Sequence, residues 1–149
     1  MTNIKEDDIK FLDTIDLICQ FTDKLELAVN KPSYEFLDRR MDFLDEEVEE
    51  LREGILDKDD LEIIDGAADV AFIAITQIYL GYRNLGVDHP TALVKTRATL
   101  ILVGRANLTK NIPTKPGDKI TKPEGWKSPN GKIKEFIHAC IHKNQLKLF

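Results

Sequence analysis

The chain has 149 residues, with 26 acidic side chains against 21 Lys and Arg and a formal charge of -5. That length predicts one domain, spanning 1–149, with an ordinary hydrophobic core. No run approaches the ~18 uninterrupted apolar residues of a membrane span, and the first ten residues are too acidic and polar for a signal peptide, so no membrane partner and a cytoplasmic location are expected.

Helical periodicity dominates, and no alternating stretch reads as a strand. The first amphipathic helix is predicted from Asp7 to about Leu27, with Ile9, Leu12, Ile15, Ile18, Cys19 and Leu25 on one face. Asn30-Lys31-Pro32-Ser33 breaks it, and Ser33 is placed to cap a second helix. In that helix Leu37, Met41, Leu44, Val48, Leu51 and Ile55 step by fours and threes as a narrow core stripe. Arg40, Phe43, Glu47 and Gly54 lie along its border, with Glu50 slightly farther round. Asp57 to Asp60 closes a turn, and Asp59 with Glu62 has the spacing of a capping box. The third helix is expected from about Asp60 to Tyr82. Beyond Asp69 it turns almost wholly apolar, through Val70, Phe72, Ile73 and Ile75, which predicts burial from several sides within the domain or against a second subunit.

Asn84-Leu85-Gly86 ends the third helix, and Asp88 with Pro90 opens a fourth that runs to about Lys110. Its Leu93, Val94, Leu100, Ile101 and Val103 are expected in the core, and Lys95, Arg97, Arg105 and Lys110 supply charge. Residues 111–131 are Lys-, Pro- and Gly-rich with one Trp, and a loop of that length is usually functional. A short helix from Ile133 to Lys143 closes the chain. The fold class is therefore all-α, a bundle of four main helices plus a short C-terminal one. Cys19 and Cys140 read as buried free thiols, and zinc held through cysteine pairs is excluded for lack of ligands.

Half of the acidic residues fall between Asp42 and Asp69, where only Arg52 and Lys58 oppose them. Residues three apart on a helix share a face. Glu47 and Glu50 can therefore aim at one point, and Glu62 and Asp65 can do so from the next helix. Four carboxylates of this kind suit Mg²⁺, which takes oxygen ligands and commonly bridges carboxylates to substrate phosphates. From Lys95 onward there are twelve Lys and Arg against Asp118, Glu124 and Glu135. Such a split suits a polyanionic ligand held through metal on one side and basic side chains on the other. It argues against nucleic acid, which the acidic half would repel. His138 and His142 are four apart, but with no third ligand nearby they are left outside the site.

The pattern Glu46-Glu47-x-x-Glu50, an eleven-residue spacer, then Glu62-x-x-Asp65 resembles the metal motif of the MazG-like all-α nucleoside triphosphate pyrophosphohydrolases. Asp65-Gly-Ala-Ala-Asp69, Asn107-Leu-Thr-Lys110 and Lys122-Pro-Glu-Gly-Trp126-Lys-Ser-Pro129 resemble the phage and bacterial subgroup, so the likeness spans about Phe21 to Pro129. The resemblance implies Mg²⁺, or Mn²⁺ in its place, on Glu47, Glu50, Glu62 and Asp65, with Glu46 binding a further ion or orienting water. It implies cleavage between the α and β phosphates of a nucleotide substrate. Lys110, Lys122 and Arg105 would hold phosphate oxygens, and Asn107 would hydrogen-bond the nucleotide. Asp69 would bind a second ion or accept from Lys110 or Asn107, and Trp126 would stack on a base or pin its loop. Thr22 stands where the subgroup often has His after Phe21. A homodimer or tetramer is implied by the likeness and by the all-round apolar third helix. Two readings compete: a non-catalytic helical interaction module with an acidic face, and a relative that hydrolyses a specialised phosphorylated substrate.

Overall fold

The computed structural model describes residues 14–26 and 32–146, and within them it has five α-helices and no strand. They are α1 (Thr14–Glu26), α2 (Tyr34–Asp57), α3 (Asp60–Asn84), α4 (His89–Leu108) and α5 (Asn130–Leu146). The all-α expectation holds. The readings placed on residues 1–13, 27–31 and 147–149 lie outside the described residues.

Local chemistry sets the ends of α2 and α3. Ser33 is extended, and its hydroxyl accepts from the Phe36 N–H at 3.1 Å. At the other end Lys58 takes a left-handed φ of 56° and returns its N–H to the last turn of α2. Asp59 then caps α3, accepting from the N–H groups of Leu61 at 3.0 Å and Glu62 at 3.2 Å. The reciprocal half of the expected capping box does not form, because the Asp59 N–H already donates to the Gly54 carbonyl at 3.0 Å. A two-residue link thus folds α2 and α3 into an antiparallel hairpin, the most extensive helix pair in the molecule.

The hairpin keeps Leu37, Leu44, Val48 and Leu51 of the predicted stripe half-buried and departs from it at Met41 and Ile55. Gly54 is buried against the backbone of α3, and Gly66 packs on Leu51, while Met41 and Ile55 face outward. Lower down, the Gln77 amide donates to the Leu37 carbonyl at 2.9 Å and Arg40 donates to Thr76 at 3.2 Å. Glycines let the two backbones approach, and that rotates α2 toward its Glu47 border.

The core sits at the opposite pole from the turn. Cys19, Phe36, Tyr79, Leu80, Tyr82, Val87, Ala92 and Cys140 bring all five helices together there. One expectation fails for α4. Val94, Ile101 and Val103 are exposed, and α4 buries Ala92, Thr96 and Thr99 instead. Threonine is tolerated inside because its hydroxyl is satisfied: Thr96 donates to the Ala92 carbonyl at 2.8 Å, and Thr99 pairs with the Tyr82 hydroxyl at 2.7 Å. In the apolar run of α3 only Ile73 is buried; Ala71 and Ala74 are open. By length and composition alone α3 could cross a membrane, and its lower half uses that apolarity in the core.

A polar cluster fastens α1 to the rest. The Tyr79 hydroxyl lies 3.1 Å from Asp23 and 2.8 Å from His89 Nδ1, and Arg83 approaches Asp23 at 3.5 Å. Burial pushes the Tyr79 phenol well above its ordinary range. Between α3 and α4, Gly86 has φ of 81°, and the Asn144 side chain of α5 covers it while donating to the Leu85 carbonyl. That contact requires α5 to be longer than predicted, and it begins three residues earlier, at Asn130.

Candidate carboxylate site

The acidic residues occupy the turn-proximal half of the α2–α3 hairpin, beyond the core. Glu47 stands on the seam side of α2, and Asp65 and Asp69 stand on α3 opposite it. Burial of its carboxyl first, then the negative charges of Asp69, Glu50, Glu46 and Asp65, raise the Glu47 pKa above the ordinary glutamate value. Carboxylates of both helices therefore act on Glu47: Glu46 and Glu50 from α2, Asp65 and Asp69 from α3. Of those charges Asp69's acts most strongly on Glu47, and no hydrogen bond joins it to Lys110 or Asn107 among the described residues.

Nearer the turn, Glu50 and Glu62 line a depression of about 360 Å³, whose other walls are Glu53, Gly54, Asp57 and Asp59. Sequence reasoning missed Glu53 and Asp57, although the signal was available: Glu50, Glu53 and Asp57 step by three and four down one face. Close packing at Gly54, where a Cβ would stand 2.9 Å from Glu62 Cβ, fixes the width of this depression.

Among the described residues no ion pair or hydrogen bond engages the side chains of Glu46, Glu47, Glu50, Glu62, Asp65 or Asp69; Arg52 pairs with Glu49 on the outer face. Nor does any set of three or more His, Cys, Asp or Glu side chains close around a single metal position among them. The donor chemistry nevertheless fits Mg²⁺. That ion keeps several waters and needs only one or two carboxylates plus substrate phosphates, and every donor here is a hard oxygen.

The basic residues gather around Trp126. The Trp126 indole N–H points at the Ala106 carbonyl and the Thr109 hydroxyl, both at 3.1 Å, so the ring pins its loop to the end of α4. Lys122 and Lys110 stack on that ring, 4.8 Å and 5.4 Å from its centre. Arg105 and Trp126 line a cleft of about 500 Å³ with Lys127 and Lys132. The antiparallel bridge between Asn111 and Thr121 closes the base of the loop. Asn107 is exposed on the last turn of α4. The cationic cleft and the acidic depression share no lining residue. Arg105 lines the cationic cleft, and Lys110 and Lys122 line neither depression.

Phe21 packs edge-on against Phe72 at 5.5 Å, and the buried Thr22 that follows it donates to the Ile18 carbonyl at 2.7 Å. His138 and His142 are exposed on α5, apart from both clusters. Comparison with protein-family models, curated proteins and solved structures returns no match to this chain.

Proposed function

We propose that the protein is a Mg²⁺-dependent pyrophosphohydrolase that cleaves (deoxy)nucleoside triphosphates between the α and β phosphates, leaving the monophosphate and pyrophosphate. The observation that carries this reading is the crowding of Glu47 by Asp69, Glu50, Glu46 and Asp65 from two facing helices, with no cation of the chain paired to them among the described residues. Mutual repulsion of that kind is relieved by a hard divalent ion. The motif resemblance supplies the reaction class.

When bound, the ion would lower the pKa of water and neutralise charge on the phosphates. Glu47, Glu50, Glu62 and Asp65 would hold it, with Mn²⁺ as a substitute. Glu46 would orient the attacking water, and Asp69 would keep the Glu47 carboxyl facing the site or hold a second ion. Arg105, Lys110 and Lys122 would neutralise phosphate oxygens, Asn107 would hydrogen-bond the nucleotide, and Trp126 would hold the cationic loop in shape. Self-association fits the same reading: Leu61, Ile64, Ala68, Ala71 and Ile75 step by three and four along α3, away from α2, and most of that stripe is exposed.

The test is a screen of nucleoside and deoxynucleoside triphosphates for pyrophosphate release with Mg²⁺. Silence across the panel favours a specialised phosphorylated substrate. Calorimetry with Mg²⁺ and a non-hydrolysable nucleotide separates both from a non-catalytic interaction module, which would show no metal-linked nucleotide binding.

A further inference from the structure

Gly54 and Gly66 let α2 and α3 close on each other, but nothing stands within 4 Å of the Cβ position of Gly81, in the interior of α3. Glycine inside a helix costs stability relative to alanine, and no close neighbour accounts for it here. Gly104 is equally free of neighbours but exposed, whereas Gly81 is half-buried and opens onto a cavity of about 330 Å³. That volume is within the range of small-molecule sites. The cavity lies between the start of α2 and parts of α3, α4 and α5. Ile78, Leu85, Ile133 and Ile137 make its walls apolar, and the Tyr34 ring, 78% exposed, stands at its mouth.

No charged side chain lines this cavity; its polar groups are Gln77, Tyr82 and Thr99. Tyr82 is 5% and Thr99 8% exposed, and their hydroxyls pair at 2.7 Å. Whichever of them donates, the other keeps its proton, and lone pairs remain on both oxygens. The Gln77 side-chain N–H donates to the Leu37 carbonyl, but its amide oxygen is buried with no partner, a state that buried acceptors seldom keep. Burial raises the Tyr82 phenol above its ordinary pKa, so this polar edge stays neutral.

We infer that this cavity is a binding site for a small uncharged ring compound carrying a cyclic amide, an N–H beside a C=O. The ring lies between the aliphatic walls and against Tyr34. Its carbonyl accepts the spare hydroxyl proton, and its N–H donates to one of the oxygens that still lack a donor. Such a ligand ties α5, the least attached of the five helices, to α3 and α4. Gly81 is sixteen residues along α3 from Asp65, on the order of 24 Å at the helical rise. The occupant is therefore a second ligand, separate from whatever the carboxylates hold, and the inference does not rest on the hydrolase reading.

The test uses the full chain and small probes. Quinolin-2-one and pyridin-2-one carry the cyclic amide; naphthalene keeps the shape of the first without its polar edge, and 2-naphthoate adds a charge. Titrated against isotope-labelled protein, at least one of the cyclic amides should give saturable amide shifts centred on residues 77–85, 99 and 133–137, and should raise Tm. The charged 2-naphthoate should leave those amides unmoved. Gly81→Leu fills the cavity and should abolish the shifts while keeping the helical circular dichroism; if it unfolds, Gly81→Met takes its place. The double variant Tyr82→Phe with Thr99→Val removes both hydroxyls together, so neither is left unpaired in the fold. It should weaken the cyclic amide about tenfold, the worth of two hydrogen bonds, and spare naphthalene. The inference is overturned if neither cyclic amide saturates wild type, if the filled variant binds as wild type does, or if 2-naphthoate binds as tightly. An unaltered affinity in the double variant, or an equal loss for naphthalene, overturns it too.

Discussion

Substituting Gly54 by Ala is the most direct probe of how the hairpin holds its carboxylates. An added Cβ would lie 2.9 Å from Glu62 Cβ, 3.1 Å from the Glu62 carbonyl carbon and 3.2 Å from the Ile63 nitrogen. Two of those three atoms are backbone, so relief requires the helices to part. Overpacking of this kind costs roughly 1–3 kcal/mol. Replacing Gly by Ala within a helix returns up to about 1 kcal/mol of propensity. The expected net loss is about 1–2 kcal/mol, a fall in Tm of roughly 3–6 °C for a domain of this size. Gly104 is the control, since it lies within α4 and nothing stands within 4 Å of its Cβ position. There the same change should raise Tm by about 2 °C. Thermal unfolding followed by circular dichroism measures both. If Gly54→Ala is as stable as Gly104→Ala, the close approach of α2 and α3 is wrong, and with it the account of the acidic depression.

Glu50→Gln should abolish pyrophosphate release while leaving the far-ultraviolet spectrum unchanged, and activity equal to wild type would remove Glu50 from the ligand set. The raised pKa of Glu47 means that its charged form is disfavoured in the folded chain, so stability is highest where it is protonated and falls as pH rises from the ordinary glutamate value of 4.5 through the folded one. Thermal melts across that window without metal should therefore flatten in Glu47→Gln, and Mg²⁺ should oppose the loss in wild type. Removing the Thr99 hydroxyl by Val leaves the buried Tyr82 hydroxyl without its 2.7 Å partner, and denaturant unfolding should register a loss of about 1–3 kcal/mol. Trp126 is the single tryptophan, so its emission reports the loop; a Mg²⁺-nucleotide complex that leaves it unaltered would argue against the loop taking part in binding.

The helices and their caps were legible in the sequence because the signals are local. Ser33, Asp59 and Asp88 each cap where spacing places them, and Gly86 turns where a positive φ is needed. Which face of each helix turns inward was less so. Periodicity gives an apolar side, yet α4 buries Thr96 and Thr99 and exposes Val94 and Ile101, because Tyr82 and a local carbonyl offer partners that no single helix can reveal. For α2 the aliphatic stripe was readable except at Met41 and Ile55, while the close packing of Gly54 on α3 was not. The spacing of Glu47, Glu50 and Asp65 was enough to place acids of α2 and α3 within reach of each other's charge. The placement of Lys122 was not legible, since it depends on where Trp126 anchors a Pro-rich loop.

The two cysteines offer a clock for the far end of the molecule. Cys19 on α1 and Cys140 on α5 are both sealed inside, and burial raises the Cys140 thiol above its ordinary pKa, so the reactive thiolate is scarce as well as shielded. A thiol reagent must wait for the pole to breathe before it can label either one. Its rate then times the excursions of that pole, and comparing it with and without Mg²⁺ and nucleotide tells whether events among the distant carboxylates are felt there.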